Sequence, residues 1–211
     1  MYGALRPGFM TLLLAAAVPL TGQAAAPAAG DQPIQSVWKP QEIRYSYMGF
    51  TAAYGCSAAE ARLKKILLAV GAHPQTKVRA NGCYNDRPAK NFFISITTAT
   101  PVAAKDAKPS AHEKSEQSLI EKLGGAKAIS AEPFPAQWQT VNLSRDRKLD
   151  LQPGDCELMQ GLRDSVLPKL SIKIVADGVQ CTPHQLSIQT PELTVSALVP
   201  MPSADVGKPV A

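Results

Sequence analysis

The chain is poor in the residues that carry out reactions. It holds three histidines, His73, His112 and His184, and none stands beside a nucleophile in sequence. A catalytic hydroxyl or thiol needs a base within hydrogen-bond reach, and no sequence neighbour supplies one. There is no G-x-S-x-G elbow, no H-E-x-x-H, no P-loop and no G-x-G-x-x-G. The common signatures of hydrolases, zinc proteases and nucleotide binding are therefore missing. Ser36-Val37-Trp38-Lys39 matches S-x-x-K in form, but it precedes a strand-like stretch instead of opening a helix. The four cysteines form no C-x-x-C pair, which leaves thioredoxin-like exchange and zinc ligation unsupported. This inventory leans against an enzyme and names no cofactor and no metal.

Long apolar runs are missing too. Beyond the N-terminus no segment has the ~18 uninterrupted apolar residues of a spanning helix. Met10 to Leu20 is apolar and follows Arg6, and small residues come next. Its length suits a signal peptide better than a membrane anchor. Cleavage is expected after Ala24, with Gly22 at the −3 position. The mature protein is expected to be periplasmic or secreted, without a membrane span. Residues 25–35, rich in Ala, Pro and Gly, read as a mobile leader.

Charge is unevenly spread. Residues 36–104 carry nine Lys/Arg against three Asp/Glu, and residues 131–200 carry six against eight. A basic half attracts anions. The dense basic run with interleaved aromatics that nucleic-acid sites favour is missing, so nucleic acid is not an expected partner. Another envelope protein is the first expected partner, and an anionic envelope polymer the second. Asp146, Asp150, Asp155 and Glu157 are the densest acidic cluster, but Arg145, Arg147 and Lys148 alternate with them, so they read as a solvated, charge-balanced surface.

What the chain does contain is the outline of itself twice. Trp38 precedes Cys56 by eighteen residues, and Trp138 precedes Cys156 by eighteen; these are the only two tryptophans. A fixed spacing of rare residues points to internal duplication. In the first half, Ile43, Tyr45 and Tyr47 alternate with polar residues as in a strand. Ser57 and Glu60 form a capping-box pattern, and Leu63, Ile66, Leu67 and Val70 line one helical face up to Gly71. Strands are expected at 76–80 and from Phe92 to Pro101. In the second half, Val141, Leu143, Leu149 and Leu151 share strand parity, broken near Arg145 and Arg147 by a bulge or turn. Pro153-Gly154-Asp155 reads as a turn and helix cap, and Leu158, Leu162 and Val166 as a helical stripe stopped by Pro168. Strands are expected through Ile172, Ile174 and Ala176, and from Leu193 to Val199.

The expected fold is α+β: two β-α-β-β repeats related by internal duplication, each stapled by one disulfide. The first unit spans 36–103 and the second 138–200. Residues 104–137 connect them, with a short helix at Leu119, Ile120 and Leu123, and 201–211 form a tail. In each unit a strand leads to a helix that starts at a cysteine and runs back, so the next strand returns and delivers the second cysteine beside the first. Repeat and geometry therefore favour Cys56–Cys83 and Cys156–Cys181 among the three pairings four cysteines allow.

Tyr45 and Tyr47, on one strand face, read first as core and otherwise as a recognition surface, to which Lys64, Lys65 and Arg79 would add charge. The stretch Tyr54-Gly55-Cys56, Leu67 to Ala72 and Gly82-Cys83, with Gly154-Asp155-Cys156-Glu157-Leu158, resembles a family of exported bacterial proteins with no assigned activity. The resemblance implies no catalytic residues. The element order is also similar in outline to periplasmic POTRA-type modules, which is fold analogy and carries no function. The expectation is a non-enzymatic binding or accessory protein of the cell envelope. The alternatives are an envelope-polymer hydrolase, which would need His73 or His184 to meet a carboxylate, or a secreted effector or inhibitor.

Overall fold

A computed structural model describes residues 32–107, 132–185 and 187–202. The signal-peptide reading, the connector helix and His112 lie outside them. Eight main elements follow the chain: β1 (Ile34–Met48), α1 (Cys56–Ala69), β2 (Lys77–Asn81), β3 (Asn91–Ala103), β4 (Phe134–Asn142), α2 (Cys156–Ser165), β5 (Lys173–Gly178) and β6 (Glu192–Pro200). The fold is α+β, and β-α-β-β recurs in both halves. The six strands make one antiparallel sheet in the order β2-β3-β1-β4-β6-β5.

Within each half the third strand inserts between the first two, so β1 and β2 run the same way without touching. Both disulfides form in the favoured pairing, Cys56–Cys83 and Cys156–Cys181, each with Cα atoms 5.7 Å apart. The halves join where Ile34–Ser36 of β1 pair with Phe134–Ala136 of β4, and beyond that short register the two strands part.

The alternation of each strand decides which face is covered. Ile43 and Tyr47 of β1, Phe92, Ile94 and Ile96 of β3, and Leu193, Val195 and Ala197 of β6 point to one side. There they meet Leu63, Ile66 and Leu67 of α1 and Leu158, Met159 and Leu162 of α2 in one continuous core. Gly71 closes α1 with φ +84, and a Cβ there would lie 2.7 Å from the carbonyl oxygen of Leu198 in β6. A side chain would be excluded twice over, by conformation and by the neighbouring half.

Several local expectations change. The capping box does not form. Ser57 instead donates its backbone N–H (2.9 Å) and its hydroxyl to the Asp86 carboxylate. Glu60 reaches the N–H of Ala80 at 2.8 Å. A remote cap and a strand edge outcompete the local pattern, because each satisfies a donor the local box would leave open. The parity of Val141, Leu143, Leu149 and Leu151 does not belong to one strand: β4 ends at Asn142, and turns carry Leu149 and Leu151 into the core. β5 is exposed along its whole length, with Ile174 41% and Val175 58% accessible, because it is an edge strand with a bulge between Ile174 and Ala176. A bulged edge of this kind resists strand addition.

Candidate functional site

Two places gather chemistry. The first lies between the halves, at the N-terminus of α2. Asp155 is 3% exposed. Its carboxylate accepts from the Tyr54 hydroxyl at 2.6 Å, from the Gln152 N–H at 2.7 Å and from the Arg62 guanidinium. Two residues on, the Glu157 carboxylate accepts the backbone N–H groups of Phe50 (2.9 Å), Thr51 (3.0 Å) and Ala52 (2.9 Å). The solvated surface expected for this acidic cluster is thus half wrong. Asp146 and Asp150 stay in the turn, while Asp155 and Glu157 bind the first half of the chain to the second.

Burial, and then the neighbouring Asp155 and Glu157 charges, hold the Tyr47 phenol well above its ordinary pKa. Tyr54 is raised by burial and by its hydrogen bond to Asp155, and Tyr45 by burial and by Tyr47. Both carboxylates are fully engaged by donors of the chain itself. The cavity beside Glu157, between Ala52 and Gln185, holds about 10 Å³, about one water. The cluster therefore acts as a clasp, with no room for a substrate. Among the described residues neither His73 nor His184 meets a carboxylate: His73 accepts from the Gln75 N–H at 3.1 Å and packs edge-on against Trp38, and His184 packs on Phe50.

The second place is the open face of β2-β3-β1, opposite the helices. Its residues occur in rows set by register: Ser46, Phe93 and Asn81; Arg44, Ser95 and Arg79; Glu42, Thr97 and Lys77. Two depressions open on this face, the second reaching round the start of β2 to Lys64 of α1. One, about 510 Å³, is lined by Arg44, Ser46, Asn81, Phe93 and Ser95. The other, about 610 Å³, is lined by Pro40, Lys64, His73, Gln75, Lys77 and Thr97. They adjoin at the row of Glu42, Thr97 and Lys77, where Glu42 lines the first and Thr97 and Lys77 line the second, and together they follow β3 as a trough. Phe93 is 68% exposed at one end, and Trp38 backs His73 at the other. Arg44 donates to Glu42 at 2.9 and 2.5 Å. Lys64 and Lys77 have no ion-pair partner among the described residues.

The five residues named from sequence are not brought together. Tyr47 is 2% exposed in the core, and Tyr45 lies half-buried with its ring against Gly161 of α2 while also lining the first depression. Lys65 is exposed on α1 and lines neither depression. Lys64 lines the trough, and Arg79 stands in its middle row. Sequence reasoning missed Phe93, Ser95, Thr97, Arg44 and Lys77. Their signal was present: they occupy the polar parity of strands whose other parity is apolar. No family model, curated protein or solved structure matches this chain. Among the described residues no helix is long and apolar enough to cross a membrane, and the two disulfides fit a non-cytoplasmic protein.

Proposed function

We propose that this is an exported binding or accessory protein of the cell envelope, periplasmic or secreted, that works through the open face of its first half. The observation that carries the reading is the trough along β3. A sheet face left uncovered beside an exposed phenylalanine and unpaired lysines holds groups that fold stability does not require, and surfaces of that make-up favour partners. Two disulfides and the signal-like N-terminus support export.

The test is in-cell crosslinking of the natively expressed, tagged protein, followed by capture and mass spectrometry. A reproducible envelope component, lost in a folded Phe93→Asp/Lys77→Glu variant, is the expected result. Identical recovery with wild type and variant would refute use of this face.

A further inference from the structure

The trough has a shape and a chemistry that select a kind of ligand, and we propose that it binds a linear anionic polysaccharide laid along β3, an inference that rests on the binding reading above. From Phe93 to Ala99 the strand runs about 20 Å at ~3.3 Å per residue, which is room for an extended oligosaccharide and more than a single small anion would need. The floor is made of small hydroxyl side chains, Ser95 and Thr97, with the Asn81 amide beside them. Hydroxyls and amides both donate and accept, as sugar hydroxyls require of their partners.

Rings mark the two ends. Phe93 offers a free face, and the His73 ring is braced edge-on by Trp38 at 4.7 Å. Between and beside them stand Lys77 and Lys64, without carboxylate partners among the described residues, and Arg44, held in place by Glu42. A carboxylate or sulfate on a chain would find the two lysines at the second depression and, at the first, an Arg44 guanidinium shared with Glu42.

Two other polymers fit less well. Single-stranded nucleic acid gains its affinity from stacking successive bases on several rings, and the trough offers one free ring, Phe93. An extended peptide would add to a strand edge, yet Phe93, Ser95 and Thr97 lie on a face of the sheet, between β1 and β2. The neighbouring β2 edge is blunted where Glu60 occupies the Ala80 N–H.

The measurement is isothermal titration of the disulfide-intact full chain with a heparin-derived hexasaccharide and with hexagalacturonate, against neutral maltohexaose and an oligothymidylate of equal length. Amide shift mapping by NMR accompanies it. Binding of at least one acidic sugar is expected, with shifts at Ser95 and Thr97 and weakening as salt rises. Lys77→Glu and Phe93→Ala should each weaken it roughly tenfold, while Lys65→Glu, an equal charge change outside the trough, should leave it within about twofold. All three residues are exposed, and unchanged thermal melting confirms that the variants fold. Tighter binding of the oligothymidylate, or acidic-sugar binding indifferent to Lys77 and Phe93, overturns the proposal. No binding of either acidic probe, with a face-dependent partner still captured in cells, overturns this ligand class and leaves the binding reading standing. No binding and no partner overturns both.

Discussion

At the residue scale, two tyrosines on the same side of the sheet have opposite energetic roles. The Tyr54 hydroxyl donates to the buried Asp155 carboxylate and lies 3.1 Å from the Gly154 carbonyl. The Tyr45 hydroxyl is buried with no hydrogen-bond partner among the described residues. A hydrogen bond to a charged acceptor contributes roughly 1.5–3 kcal/mol, whereas a buried hydroxyl without a partner is itself a cost. Tyr54→Phe should therefore destabilise by about 2 kcal/mol in urea unfolding, and Tyr45→Phe should be neutral or stabilising by up to about 1 kcal/mol. Equal losses in the two variants would mean that a buried water or another donor serves Tyr45. Arg62→Ala belongs with this pair. It removes the cation from a carboxylate that is 3% exposed, and breaking a buried pair from one side costs about 3 kcal/mol. The guanidinium is itself a quarter exposed, so a loss nearer 2 kcal/mol is expected, read from the same unfolding curves.

At the element scale, each helix is tied at its N-terminus by a disulfide and held by groups distant in sequence. The disulfides close loops with separations of 27 and 25 residues. Converting either pair to serine should cost roughly 3 kcal/mol on a chain-entropy estimate. The two losses should be similar despite the different lengths of β1 and β4, because loop length enters only through its logarithm. Helix α1 also depends on Asp86, whose pKa is depressed by the hydroxyl and backbone N–H of Ser57. A depressed carboxylate stabilises above its unfolded value near 4 and loses that contribution as pH falls through the lower folded value. Asp86→Asn should thus narrow the stability gap between pH 6 and pH 2, measured by thermal melts, while wild type loses stability across that acid range. The disulfides and both helices could be read in the sequence, because rare residues at equal spacing and helical apolar stripes are local signals. Strand order could not, since alternation says which face a residue takes and nothing about which strand lies beside it. The Ser57–Glu60 pattern misled for a related reason: Asp86 and the β2 edge, brought close only by folding, claimed both side chains. The trough was half legible. Its polar parity was visible beside Ile43, Ile94 and Val78, but only the pairing of β2, β3 and β1 turns Lys77, Thr97 and Arg44 into neighbours.

For the whole molecule, the question is whether two β-α-β-β halves behave as one body. The sheet alone joins them weakly, since β1 and β4 share a register of only Ile34–Ser36 with Phe134–Ala136. The rest of the union comes from the shared core, from the clasp of Glu157 on residues 50–52, and from Asp155 with Tyr54 and Arg62. Three of the five tyrosines, Tyr45, Tyr47 and Tyr54, sit at that union, and all have raised pKa values, chiefly through burial. A phenol ionises near pH 10 when unfolded. With the folded value higher, the stabilising difference is complete below pH 10 and is lost as pH rises toward the folded value. Above pH 10 each of the three buried phenols therefore favours separation and unfolding. In an alkaline titration followed at 295 nm, their phenolate absorbance should appear in one cooperative step, together with loss of near-ultraviolet circular dichroism across the whole chain. Reversible ionisation of all three near pH 10, with the dichroism of both halves intact, would show that the halves separate easily and that the clasp does not hold them.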